Sequence, residues 1–252
     1  MNNFASTAAI ILAAGRGSRI KAKKKNKVTF LLNGKSIISY AVDNLHEAGI
    51  SKIYVVVGFH ADSVKKELGT QVVYVKQTEQ LGTGHAVKTA VSALPLDTKT
   101  VLSVYGDDSA FYPPSLYQTM VDKRVASGCD LLFLTVHKDD PTGLGRIVRD
   151  KKGRVTKIVE EKNATEAEKK ISEINTGFYC FSYDFLVSTI NQIKKNPLTG
   201  EYYITDMVEI ALSNGKKVEA LYIKDSSIWH GVNTRKELAS AKYLLSRESH
   251  AK

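Results

Sequence analysis

The chain has 252 residues, 43% hydrophobic and 25% charged, which is enough to bury a sizeable core as one large domain. A formal charge of +10 suits an anionic substrate, but equally nucleic acid or an acidic membrane surface, so charge alone excludes none of these. No stretch approaches the ~18 apolar residues of a membrane helix, and Cys129 and Cys180 form neither a C-x-x-C pair nor a metal-ligand spacing, reading instead as buried thiols of a reducing cytoplasm.

Residues 8–14 are an unbroken apolar run, the pattern of a strand covered on both faces. No basic segment precedes the run, so it reads as a strand rather than a signal peptide. A turn containing Gly15, Arg16, Gly17 and Arg19 follows, then a lysine-rich loop. Ile37, Ile38, Ala41, Val42 and Leu45 fall at helical spacing, and Gly49 closes that helix. Strands are expected at 53–57, 72–75, 101–104 and 131–136, with helices at about 62–68 and 84–94. Such β–α repeats imply right-handed crossovers and a parallel sheet with helices on both faces. After Pro141 the texture changes: 146–149 and 154–159 flank a Gly-containing turn and read as a hairpin. An apolar strand over 174–182 and helices near 204–214 and 234–246 complete the chain. The reading is a single domain, 1–252, with a nucleotide-binding core (about 1–138), a sugar-side lobe and return to the core (139–230) and a final loop and helix (231–252). Because open parallel sheets bind ligands beyond the carboxyl ends of their strands, the loops after residues 14, 75, 104 and 136 should share one cleft.

The glycines and cations after the first strand suit a phosphate, since backbone N–H groups approach it closely and Arg or Lys neutralises it. Two familiar phosphate loops fail. Gly34-Lys35-Ser36 resembles the tail of a Walker A loop, but Thr29 stands where its first glycine belongs. Gly15 and Gly17 fit a dinucleotide fingerprint, but Ile20 occupies the third position and no acidic residue follows the second strand.

What remains, Leu12-Ala13-Ala14-Gly15-Arg16-Gly17-Ser18-Arg19 with Lys27 downstream, resembles the signature of sugar-1-phosphate nucleotidylyltransferases. Further segments match in the family's order: Gln77 to Ala86, Tyr105-Gly106-Asp107, Asp140 to Ile147, Glu173 to Gly177, Gly200 to Asp206 and Gly231 to Arg235. Within that family the chain is similar to the N-terminal uridylyltransferase domains of bacterial bifunctional N-acetylglucosamine-1-phosphate uridylyltransferases. It shows no hexapeptide repeat of the acetyltransferase half, so that activity is not carried over. The resemblance implies a Rossmann-like α/β fold with a mixed, mainly parallel sheet, helices on both faces and a small β-rich sugar-binding lobe. It also implies a cytoplasmic, Mg²⁺-dependent enzyme that transfers UMP from UTP to a sugar-1-phosphate, N-acetylglucosamine-1-phosphate being favoured, with no nucleic acid or membrane partner. It sets no oligomeric state. Rivals are transfer to another sugar or alcohol phosphate, or a non-catalytic nucleotide-sugar-binding homologue.

By the same resemblance Arg19 and Lys27 bind the triphosphate, while Leu12, Ala13, Gly15, Gly17, Gln77, Gly82, Thr83 and Tyr105 hold the nucleotide. A glutamine amide complements uracil's O4 and N3–H, and Gly82 is expected to admit close backbone approach. Gly145, Glu160, Asn175 and Thr205 face the sugar, and Asp107 and Asn233 ligate Mg²⁺, which needs few protein oxygens. Where the sequence departs from the family, Asn26 replaces the proline before Lys27, leaving the loop mobile until nucleotide binds and alignment open between Lys25 and Lys27. Asp108 replaces an apolar residue and is expected to cap a helix or face solvent. His230 replaces a glutamate and lacks partners at zinc spacing, while His85 reads as a structural polar residue at a helix start. Lys21, Lys23, Lys24 and Lys25 are assigned mostly to solvent.

Overall fold

A computed structural model describes residues 3–20, 22 and 24–250, without the side chains of 248–250; Lys21 and Lys23 lie outside the described residues. Strand β1 (Thr7–Ala13) runs through the centre of the sheet. Its alternate residues enter two separate apolar layers, Ala9, Ile11 and Ala13 in one and Ala8 and Ile10 in the other, as a period-two chain covered on both faces must. A short hairpin, β2 (Leu31–Leu32) with β3 (Lys35–Ser36), leads into α1 (Ile37–Glu47), capped by the Ser36 hydroxyl accepting from the Ser39 amide. There follow β4 (Lys52–Val57), α2 (Ala61–Leu68), β5 (Val73–Lys76), α3 (Thr83–Val91) and β6 (Thr100–Tyr105). Next come α4 (Pro114–Ser127), β7 (Leu131–His137), β8 (Arg146–Arg149), β9 (Val155–Val159) and β10 (Glu173–Ser182). The chain closes with α5 (Tyr183–Thr189), α6 (Asp206–Ser213), β11 (Val218–Ile223) and α7 (Arg235–His250).

The main sheet has the order β11-β7-β10-β6-β1-β4-β5. Its pairs are parallel except for β10, which lies antiparallel between β6 and β7. Helices α1, α2 and α4 bury their apolar faces against one side of the sheet, and α3, α5 and α6 against the other. This is the mixed, mainly parallel α/β architecture with helices on both faces. The β8–β9 hairpin hangs from the start of β10 through Ile174 and Arg146, forming the small lobe. The excursion begins and ends on one rung of the sheet: Glu173 pairs with His137, and the Lys138 amide donates to the Ser172 carbonyl at 2.9 Å. Among the described residues no helix is long and apolar enough to cross a membrane.

Five elements escape the periodicity reading. Only Leu116, Tyr117, Met120 and Val121 of α4 are buried, a narrow stripe diluted by polar neighbours; Pro114 near its start and left-handed Gly128 (φ +65°) after it are its clearer marks. The half-exposed edge strand β11, the short α5 and the two-residue strands of the β2–β3 hairpin are too short or too polar to stand out.

Candidate active site

Each of the four loops expected to converge does so at one cleft of about 680 Å³, lined from Leu12 to Arg19, around Lys27, at Gln77, Gly82 and Thr83, at Tyr105 and Asp107, and at Gly145 and Asn175. The carbonyl groups at the end of β1 and just beyond it gather these loops: Leu12 accepts from Gly106 N (3.0 Å), Ala13 from Asn26 Nδ2 (2.8 Å) and Ala14 from Phe59 N (3.2 Å). Gly15 has open space around it and Gly17 (φ +59°) turns the chain back toward Lys27.

Asn26 overturns the expectation of a loose lysine loop, at least from residue 26 onward. It is 1% exposed and adopts φ −64°, the value a proline imposes. Its amide donates to Ala13 O and Phe59 O, both at 2.8 Å, its Oδ1 accepts from Val28 N, and its own N–H reaches Ser63 Oγ at 2.9 Å. Lys25 turns away, donating to Thr29 O at 2.9 Å and lying over the Phe30 ring, whereas Lys27 points into the cleft. Lys24 is exposed.

At the cleft's centre, Lys27 Nζ forms an ion pair with Asp107 Oδ2 and donates to Asn233 Oδ1 at 3.0 Å, and Arg19 donates to the same Asn233 oxygen at 2.7 Å. The two residues expected to ligate a metal thus already present oxygens to one cation, and the two expected to bind phosphate hold them there. Val232 N donates to Asp107 O at 3.2 Å, tying the C-terminal loop to the end of β6. Among the described residues no three His, Cys, Asp or Glu side chains gather as a metal site, so any ion here relies on a sparse donor set. Asp108 neither caps nor faces solvent. It is 6% exposed, makes no cap bond to the 3₁₀ turn at Ser109–Phe111, and its Oδ1 has no hydrogen-bond partner. Burial, and then the adjacent Asp107 carboxylate, push its carboxyl well above the usual range.

Where Gln77 lines the cleft, its Nε2 engages Gly82 O at 3.2 Å and His85 Nδ1 at 2.9 Å. Both amide hydrogens then have partners and Oε1 is left for a ligand donor. His85 therefore orients Gln77. Gly82 (φ +98°) lines the cleft and is also required by packing: a Cβ there would lie 2.6 Å from the Tyr202 carbonyl. The segment 201–203 pairs with this loop through Tyr202 N to Leu81 O and Gly84 N to Tyr202 O, both 2.8 Å. The Thr83 hydroxyl accepts from Ile204 N at 3.1 Å, and burial chiefly raises the pKa of the half-buried Tyr105 phenol against the lowering effect of Thr83.

Around Asn175, a bulge in β10 between Asn175 and Tyr179 turns the strand's pairing out of register where it meets the cleft. Asn175 donates to Tyr179 Oη at 2.7 Å, accepts from Gly177 N at 3.2 Å, and its backbone amide donates to Gly145 O at 2.8 Å. Glu160 lines the cleft, its carboxyl raised by burial against the lowering effects of the Thr205 hydroxyl and Arg146. Thr205, expected to face the sugar, does not line the cleft; its hydroxyl lowers the Glu160 carboxyl from behind. Glu161 pairs with buried Arg146 at 2.5 Å, so the Glu160-Glu161 pair is divided between cleft and scaffold.

Sequence reasoning passed over Trp229, the chain's one tryptophan, which lines the cleft, donates to Thr176 O at 3.3 Å and lies under the Lys138 ammonium. Its only signal was its place just before Gly231-Val232-Asn233. His230 packs edge-on against Phe111, its pKa lowered by burial and then by Lys138.

Comparison with known proteins bears on this arrangement. The family model described as Nucleotidyl transferase matches residues 8–248. The "Bifunctional protein GlmU" of Exiguobacterium sibiricum is 40% identical over 250 residues, covering 99% of this chain and 54% of that protein. Its namesake from Geobacillus sp. (strain WCH70) is 42% identical over 237 residues, covering 94% of this chain and 51% of that protein. The chain thus spans about half the length of these curated relatives. A crystal structure described as a glucose-1-phosphate thymidylyltransferase of Bacillus anthracis, bound to sucrose, superposes with a TM-score of 0.79 over 94% of both chains at 23% identity, a likeness of fold. The family match runs from β1 into α7 and so takes in every wall of the cleft: the chain belongs to the nucleotidyl transferase family.

Proposed function

We propose that the chain transfers UMP from UTP to N-acetylglucosamine-1-phosphate, giving UDP-N-acetylglucosamine and pyrophosphate, with Mg²⁺ at Asp107 and Asn233. The observation that carries this reading is the convergence of Arg19, Lys27, Asp107 and Asn233 on one hydrogen-bonded centre between Gln77 and Asn175. A phosphate monoester oxygen is already a nucleophile, so bond formation to the α-phosphorus and loss of pyrophosphate need no protein base. The barrier is the approach of two polyanions, and charge placed at the α-phosphate lowers it. Arg19 offers a planar fork to phosphate oxygens, and Lys27 a compact charge. The donor set fits a hard cation, because Asp107 Oδ2 and Asn233 Oδ1 already meet around the Lys27 ammonium. Mg²⁺ bound there supplies neutralisation of the triphosphate and orients it for in-line attack. Gln77, with its amide hydrogens engaged by Gly82 and His85, presents an acceptor to a base N–H; uracil N3–H satisfies it, whereas cytosine N3 does not. Asn175 and Glu160 suit an acetamido group and ring hydroxyls.

The test is pyrophosphate release from a panel of UTP, CTP and dTTP with N-acetylglucosamine-1-phosphate, glucose-1-phosphate and alcohol phosphates, each with and without Mg²⁺. Fastest turnover is expected for UTP with N-acetylglucosamine-1-phosphate, lost without Mg²⁺ and in Asp107→Ala. Turnover confined to glucose-1-phosphate sinks the acetamido assignment, and no turnover on any pair favours a binding protein.

A further inference from the structure

The Asp108 carboxylate is unexplained by the chemistry above. A buried ionisable group is costly without a partner, and Asp108 Oδ1 has none, although the residue is 6% exposed and lines the cleft. The loop that covers it lies close: a Cβ built on Gly231 would stand 3.0 Å from Asp108 Oδ1 and 3.1 Å from Asn233 Nδ2, so the bare glycine lets the 229–233 segment bring Asn233 beside Asp108 in the cleft without crowding that oxygen. Gly231 is one residue from Val232, whose amide holds the Asp107 carbonyl. The charged groups acting on Asp108 are Asp107, Lys27, Glu237 and Arg19: with Asp108 itself, three acids face two bases. Glu237 is taken up by the amides of Asn233 and Thr234, at 2.8 and 2.7 Å, and so stabilises the loop rather than neutralising a cation.

We infer that Asp108 is a further oxygen ligand, direct or through a bound water, of the divalent cation held at Asp107 and Asn233, and that it lets the nucleotide-free protein bind that cation. The inference rests on the metal site of the proposed function and adds a second carboxylate to it. Mg²⁺ bound through one carboxylate depends on substrate phosphates to complete its shell, whereas a second carboxylate supplies affinity before the triphosphate arrives. The cation then enters with or before UTP, and Lys27, relieved of Asp107, is free to turn to phosphate.

The test titrates Mn²⁺ into the nucleotide-free protein by calorimetry, with Trp229 emission as a second reading. One Mn²⁺ per chain is expected for the wild type. Asp108→Asn, which keeps the shape and removes the charge, should weaken binding about tenfold or more at unchanged circular dichroism. Gly231→Ala, which crowds Asp108 Oδ1, should also weaken it, and decides the matter if Asp108→Asn does not fold. Wild-type affinity in both variants, with loss in Asp107→Ala, overturns the role of Asp108 and leaves the metal site standing. Absence of Mn²⁺ binding by the nucleotide-free wild type overturns it as well, while indifference to Asp107→Ala brings down the metal site and the inference together.

Discussion

Asn26 does by hydrogen bonding what proline does by ring closure in the family pattern. Its φ of −64° is that of a proline, and its amide ties the loop to the end of β1 and to Phe59. Asn26→Ala would leave the Ala13 and Phe59 carbonyls short of a donor, and should lower stability by about 1–3 kcal/mol. The measurement is a urea midpoint that falls at unchanged m, accompanied by a higher KM for UTP; an unchanged midpoint would remove the amide from the account. The positions that the structure gathers at the cleft were legible because each sits in a local motif: Arg19 and Lys27 flank one turn, and Gln77 and Gly82 share another. What was not legible depends on chain arriving from elsewhere. Nothing near Gly82 announces that the Tyr202 carbonyl will press on it, and nothing near Asp108 announces that residues 229–233 will bury it.

Strand β10 is the element on which the Asn175 wall of the cleft depends. Running against its neighbours, it delivers its first residues to the end of the sheet where parallel strands deliver their last, so Asn175 reaches the same cleft as Tyr105. The bulge leaves room for Gly177 (φ +79°), where a Cβ would fall 2.4 Å from the Tyr105 ring. Gly177→Ala should cost about 2–4 kcal/mol, from backbone strain and displacement of Tyr105 together. A thermal melt checks this, and a variant as stable as the wild type would show that the ring yields. Hydrophobic periodicity found β10, because it is buried almost throughout, but not its direction, which is a property of pairing rather than of composition. The same limit hid α4: four buried side chains in fourteen residues give little period to read.

At the scale of the molecule, charge is distributed unevenly around the cleft. Arg16, Arg19 and Lys27 line one part of it, and Glu160 and Glu201 another; beside Glu160, Asp206 is raised from 3.8 to about 6 by burial first, then by Glu209 and Glu160. A carboxyl raised in the folded state keeps a proton that the unfolded chain has released, so its contribution is complete below about pH 4 and is lost as pH climbs through about 6. Asp206→Asn should therefore raise Tm at about pH 8 and leave it unchanged near pH 3; equal shifts at both values would assign the effect to packing. The excursion over residues 138–172 has a separate consequence. It leaves and rejoins the sheet between His137 and Glu173, on one rung, so its loops can change length without re-threading a core strand. What must be kept are its moorings: Arg146 on Ile174, and Ile147 and Ile158 in the core, so variation is channelled to the turn at 150–153 and the segment 160–172.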